Sequence, residues 1–201
     1  MSVPKLIDVT PFEPLVIKVH YDGFDWNILK NICKELIDTT KYEAELEENN
    51  AKSSVFNQNM PHKMKEFSKF YEWLEPIVQH VIKNEWGYAK TPSYKIFNSW
   101  VNVHKKHGIT LEHNHGATTL VAATYLKLPK DSGYIQFKDP MEYGKSANYH
   151  EELAWDWKTV KAETGDVLLF PGWLRHRTEA SSSDEERWVL TTNFSTVFVK
   201  K

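Results

Sequence analysis

Residues 165–176 read Gly165-Asp166-Val167-Leu168-Leu169-Phe170-Pro171-Gly172-Trp173-Leu174-Arg175-His176. Gly165-Asp166 supplies a turn, and Val167-Leu168-Leu169-Phe170 is a continuous apolar run of the kind found in a core strand. Pro171-Gly172 ends that strand, because proline has no backbone donor for a ladder, and begins a loop that carries His176. Some sixty residues earlier stands Leu111-Glu112-His113-Asn114-His115. Side chains alternate along a strand, so His113 and His115 point the same way, and His176 from another strand could meet them at one metal ion. Neutral imidazole suits iron, zinc, copper and nickel alike, so the spacing indicates a metal without naming it. Arg187 opens a further strand, Arg187-Trp188-Val189-Leu190-Thr191-Thr192-Asn193, on which Arg187, Thr191 and Asn193 share one face. A fixed guanidinium with a hydroxyl beside it is what a pocket for a carboxylate requires.

Outward from these motifs, short strands separated by turn residues are expected near 94–104, 109–115, 119–128, 133–138, 158–163, 166–170 and 187–199. Strands of this kind pair in two facing sheets as a jelly roll, or double-stranded β-helix, with a mouth where inward side chains converge. The first 92 residues read as a helical preface packed on that body. Asp25 precedes Trp26, Leu29, Ile32, Cys33 and Leu36, an amphipathic helix with an Asp cap. Residues 41–60 read as a polar surface loop. A second helix is expected from His62 to Glu85, with Met64, Phe67, Phe70, Tyr71, Leu74, Val78 and Val81 inward and Pro76 kinking it or starting a new helix. The fold class is therefore mainly β with flanking helices, in one domain over 1–201, with the core in 93–201. Residues 139–157, with Tyr143, Tyr149, Trp155 and Trp157, form a longer insertion, which reads either as a substrate lid or as a surface loop pinned by its aromatics.

Composition narrows the functional classes. Among 201 residues, 41% hydrophobic and 13% aromatic content suffice for a substantial core. A formal net charge of −2 gives no support to nucleic-acid binding, which leaves a basic stripe. No apolar run is long enough to cross a bilayer, and Met1-Ser2-Val3-Pro4-Lys5 is not followed by a signal-peptide segment. The single cysteine, Cys33, forbids an intrachain disulfide, favours a cytoplasmic setting and reads as buried and inert. A homodimer is compatible with all of this.

The motifs together resemble the iron(II)- and 2-oxoglutarate-dependent oxygenases, on the prolyl-4-hydroxylase-like side of that superfamily and nearest to small uncharacterised members from bacteria and phages. The resemblance runs from Trp100 to about Phe198. It rests on Trp100-Val101-Asn102, the two-histidine motif, Ala123-Thr124-Tyr125-Leu126, Phe137-Lys138-Asp139-Pro140, the Gly165-to-His176 run, Arg187 and Asn193, in the expected order. It implies iron(II), 2-oxoglutarate as co-substrate, and dioxygen, with release of succinate and carbon dioxide and hydroxylation of a further substrate as the default outcome. His113 and His176 would be iron ligands. Arg187 would hold the distal carboxylate of the co-substrate, assisted by Tyr125 and Thr191, with Asn102 and Asn193 in the same site. One position departs from the pattern: most of the superfamily has Asp or Glu where this chain has His115. The expected ligand set is therefore His113, His115 and His176, with one positive charge fewer offset than usual.

Plainer readings stand beside these. His113 and His115 could be partly exposed residues at a strand end, Arg187 could form a surface ion pair with Glu163, Glu185 or Glu186, and Tyr125 could be packing. Asp139 could supply the missing carboxylate or simply cap the turn before Pro140, whereas Glu112 points away from the histidine face. His20, His62, His80, His104, His107 and His150 belong to no constellation and read as ordinary surface groups. Two other functional classes fit the same fold: a metal cupin acting as an isomerase or sugar-modifying enzyme, and a non-catalytic jelly-roll binding or structural protein with a vestigial site. Cupins share His-X-His but have no need of the Arg187–Thr191 face.

Overall fold

The computed structural model describes residues 16–39, 49–87, 93–140 and 156–197. Its strands are β1 (Ile17–His20), β2 (Ala51–Ser53), β3 (Ser93–His104), β4 (Leu120–Lys127), β5 (Ile135–Lys138), β6 (Trp157–Val160), β7 (Asp166–Pro171), β8 (His176–Thr178) and β9 (Arg187–Val197). The larger sheet has the order β1-β7-β4-β9-β3-β2, and the smaller one β6-β5-β8. All these pairings are antiparallel.

Alternation of side chains gives the larger sheet two different faces. One face presents Val101 and Val103 from β3, Leu120 and Ala122 from β4, Val167 and Leu169 from β7, and Leu190 and Phe194 from β9, all in one apolar cluster with the helices. The other face presents Val121, Ala123, Tyr125, Leu168 and Phe170, which pack with Ile135 and Phe137 of the smaller sheet. Strands β4 and β7 therefore lie between two apolar layers. This is why Leu120–Leu126 and Asp166–Pro171 are buried without a break and read as continuous apolar runs.

Two helices cover the first face. Helix α1 (Trp26–Asp38) is capped by Asp25, whose side chain accepts from the backbone N–H of Asn27 and Ile28, both at 3.1 Å. It buries Leu29, Cys33, Leu36 and Ile37, and burial pushes the Cys33 thiol up to about 12. Helix α2 (Ser68–His80) buries Phe70, Tyr71, Leu74 and Val78. The Tyr71 hydroxyl lies 3.0 Å from Thr192 Oγ1, which ties the helix to β9.

Several elements differ from the sequence-based expectation. The second helix is shorter at its start, where Pro61–Lys63 and Lys65–Phe67 form two 3₁₀ turns, and Val81–Glu85 adds a π turn at its end. Pro76 lies inside α2 rather than opening a new helix. Both it and Glu72, whose carbonyl loses its donor, lie on the exposed face where water can take the place of the missing bond. Within the stretch expected to be a polar loop, Ala51–Ser53 adds an edge strand beside β3. Residues 109–115 form no regular strand and are held to the smaller sheet by the isolated bridge His113–His176. His176–Thr178, expected as loop, is a strand of that sheet because it pairs with β5. Residues 141–155, most of the proposed lid, lie outside the described residues. Among the described residues, no helix is long and apolar enough to cross a membrane.

Candidate metal centre and adjoining cavity

The bridge between residues 113 and 176 decides the geometry of the centre. His113 N–H donates to the His176 carbonyl and His176 N–H to the His113 carbonyl, each at 3.0 Å. Residues directly opposed in this way project their side chains on the same side. His115, two residues on, returns to that side, and its N–H donates to the Gly172 carbonyl at 2.8 Å. The three rings accordingly converge, with centroids 4.2 Å apart for His113 and His176, 5.1 Å for His115 and His176, and 5.3 Å for His113 and His115. One ligand atom from each lies within 4.8 Å of the others.

Each imidazole also has its Nδ1 occupied by an oxygen acceptor: Leu111 O at 2.8 Å for His113, Asn193 Oδ1 at 2.8 Å for His115, and Leu174 O at 2.9 Å for His176. These bonds place the N–H on Nδ1 and leave the Nε2 lone pair free, the usual arrangement for metal-ligating histidine. Trp100 stacks on His115 at 5.7 Å, and Phe170 sets its edge against His176 at 4.8 Å. Such apolar walls disfavour the imidazolium. Burial first, and then the other histidines, holds His115 down to about 4 and His176 to about 3. Burial lowers His113 as well, against the opposing bond to Leu111. Three neutral nitrogen donors therefore stand ready at neutral pH, a set that fits iron(II) and its first-row neighbours.

From the histidines, one cavity of about 290 Å³ extends between the sheets to Arg187. Arg187 is 1% exposed. Its Nη1 donates to the carbonyls of Ser132 (2.7 Å) and Gly133 (2.9 Å), and its Nη2 to Thr178 Oγ1 (3.0 Å). Nε has no partner, and among the described residues no carboxylate forms an ion pair with this guanidinium. Burial pulls it down to about 10, still charged at neutral pH. Strand β8 relates the two ends of the cavity. His176 belongs to the metal group and Thr178 holds Arg187, and two residues along a strand span about 7 Å. A short dicarboxylate that chelates a metal with one end could meet the guanidinium with the other.

The remaining expected site residues divide by position. Tyr125, Thr191 and Asn102 line the cavity with Arg187. Asn193, expected to contact the co-substrate, instead faces His115, because its place opposite Val121 on β9 puts it under the histidine rather than beside Arg187. Asp139 is not in the metal-ligand group, so among the described residues no carboxylate joins it. Glu112 pairs with Arg175 at 2.6 Å, away from the histidine face.

His104, read from sequence as a surface residue, lies buried in the cavity wall directly across from Arg187. Its spacing of two from Asn102 was the available signal, since both lie on one face of β3. A second group of potential ligands, His20, Glu163 and Asp166, is engaged internally: Asp166 accepts from Glu163 N–H and meets His20 Nδ1 (2.8 Å) and Lys18 (3.3 Å).

Comparison with known proteins adds an independent finding. The family model described as "Putative 2OG-Fe(II) oxygenase" matches residues 98–193. No curated protein matches the chain. Among solved structures, the chain is similar to SnoK, a non-heme alpha ketoglutarate dependent carbocyclase from nogalamycin biosynthesis, at 15% identity and a TM-score of 0.63, covering 90% of this chain and 79% of that one. It is also similar to HygX from Streptomyces hygroscopicus with nickel, 2-oxoglutarate and hygromycin B bound, at 12% identity and a TM-score of 0.64, covering 92% and 84%. A third is the viral collagen prolyl hydroxylase vCPH from Paramecium Bursaria Chlorella virus-1 in its 2OG complex, at 12% identity and a TM-score of 0.59, covering 92% and 97%. At such identities these structures speak to the shared fold.

Proposed function

We propose that the chain, whose residues 98–193 match the 2OG-Fe(II) oxygenase family model, is a three-histidine dioxygenase of that superfamily, working as one domain in a cytoplasmic setting. In this reading His113, His115 and His176 hold iron(II), and Arg187 anchors the distal carboxylate of 2-oxoglutarate. The observation that carries it is a buried guanidinium with, among the described residues, no carboxylate within ion-pair distance, in the wall of the cavity that opens on three free Nε2 atoms. A buried cation of this kind calls for an anion, and a dianionic 2-oxo acid supplies one to each end.

Each residue then has a definite task. The three imidazoles would hold the metal, and with only three protein donors present it would have positions left for co-substrate and dioxygen. Iron, when bound, supplies oxidative decarboxylation of 2-oxoglutarate to succinate and carbon dioxide, with the second oxygen atom passed to the substrate as a hydroxyl group. Arg187, locked by the carbonyls of Ser132 and Gly133, fixes the direction of the co-substrate before oxygen arrives. Val121, Ala123, Phe170 and Val189 line the cavity with apolar surface and limit water. Tyr125 and Thr191 contribute hydroxyls to the same wall. With His115 in place of a carboxylate, the ligands leave the full charge of iron(II) uncompensated, which favours a dianionic co-substrate further. A cupin chemistry has no use for Arg187.

Arg187→Ala is the direct test. Anaerobic titration of the iron-loaded protein with 2-oxoglutarate should give a visible charge-transfer band in the wild type. The variant should bind more weakly by about 2–5 kcal/mol, with metal affinity nearly unchanged. Arg187→Lys should recover little, because a point charge cannot reproduce the two-pronged geometry. Coincident titrations would remove the main support for this function.

A further inference from the structure

His104 and Arg187 are cross-strand partners on β3 and β9, and both face the cavity. They are 2% and 1% exposed. His104 Nε2 lies 2.7 Å from Thr110 Oγ1, while its Nδ1 has no partner; Arg187 Nε has none either. Buried polar atoms are nearly always satisfied, so two orphans on facing side chains at one end of a ligand-sized cavity mark a place where a ligand completes the bonding. Nη1 has spent both its protons on carbonyls and Nη2 one on Thr178, so Nε–H and one Nη2–H of Arg187 remain for that ligand.

Charge and tautomer limit what His104 can contribute. Burial first, then the adjacent Arg187, holds its imidazole well below the ordinary histidine range, so the ring is neutral and carries a single N–H. If the Thr110 hydroxyl donates to Nε2, that N–H sits on Nδ1, the unpartnered atom. A neutral donor suits this position, because a second cation would repel Arg187.

We propose that His104 is a specificity-determining residue whose Nδ1–H donates to the distal carboxylate of the 2-oxo diacid held by Arg187 Nε–H. The proposal rests on the co-substrate reading given above. It makes recognition of the far carboxylate a joint act of one charged and one neutral donor, so that acids of the same length without that carboxylate gain nothing from His104.

The test uses the full chain loaded with nickel and titrated calorimetrically with 2-oxoglutarate and with 2-oxopentanoate, which has the same carbon chain but no distal carboxylate. His104→Phe should weaken 2-oxoglutarate about tenfold or more, as expected for a lost bond to a charged group, and leave 2-oxopentanoate within about twofold. His104→Asn, which places an amide N–H near the Nδ1 position, should recover most of the loss. Unchanged 2-oxoglutarate binding in His104→Phe, or an equal loss for both acids, overturns the proposal. Arg187→Ala is the control for the underlying reading. If it binds 2-oxoglutarate normally, the co-substrate assignment fails; if it is impaired while His104→Phe is not, only the role of His104 fails. Should His104→Phe not fold, long-range proton–nitrogen spectra of the zinc-loaded wild type with 2-oxoglutarate decide the tautomer. A proton on Nδ1 supports the role and a proton on Nε2 overturns it.

Discussion

Asn193 shows how much one residue can contribute without lining the cavity. Its Oδ1 accepts from His115 Nδ1 at 2.8 Å, which holds both the ring orientation and the tautomer that leaves Nε2 free. His113 and His176 obtain the same service from backbone carbonyls, which no side-chain substitution can remove. Asn193→Ala should therefore weaken iron(II) or nickel binding by about 10–100-fold, measured by competition with a chelating dye. Asn193→Asp keeps an acceptor and should retain most of the affinity. Wild-type affinity in Asn193→Ala would mean that His115 does not ligate the metal.

Among elements, the turn before β5 has a function that its position alone does not reveal. Gly133 has φ +76°, and a Cβ there would meet the Glu179 carbonyl oxygen at 2.5 Å. The carbonyls of Ser132 and Gly133 are the two that hold Arg187 Nη1. Gly133→Ala should cost about 1–3 kcal/mol in urea denaturation and should also weaken 2-oxoglutarate binding. Metal affinity should not change, since the histidines lie on β8 and in the 109–118 segment. A variant that lost stability with normal co-substrate affinity would separate the turn from Arg187. Strand β8, only three residues long, links both ends of the site by presenting His176 and Thr178 on one face. The approach of its loop depends on Gly172, where a Cβ would meet the Thr118 carbonyl oxygen at 2.1 Å.

At the scale of the whole molecule, burial of three histidines between two sheets links folding to pH. His115 and His176 are held down to about 4 and about 3 when folded, against 6.5 for an ordinary histidine. Between those values and 6.5 the unfolded chain binds protons that the native one does not, so stability rises with pH across this window and falls on acidification. Each such group steepens the slope by at most about 1.4 kcal/mol per pH unit. His20 acts in the opposite sense, because bonds to Asp22 and then Asp166 raise it, but its exposure keeps that effect small. The metal-free protein should accordingly lose denaturation stability from pH 7 to about pH 4, and the triple variant with His113, His115 and His176 changed to Gln should show a flatter profile. Equal slopes would show that these imidazoles do not titrate as a buried neutral group.

Much of this architecture is legible in residue order alone, where local rules suffice. Parity places His113 with His115, and Arg187 with Thr191, while the unbroken apolar run Val167-Leu168-Leu169-Phe170 identifies β7 as a core strand. Asp25 marks the start of α1 because a side-chain cap is a local interaction. What depends on register between distant segments could not be read this way. The pairing of β3 with β9 sets His104 against Arg187, and β9 against β4 sets Asn193 beneath His115. The bridge from His113 to His176 replaces an expected strand, and β2 forms only because the edge of β3 is available to it. A one-residue slip in any of these ladders would turn a side chain to the opposite face, and the choice among registers is made by the packing of both sheets at once, which no single segment contains.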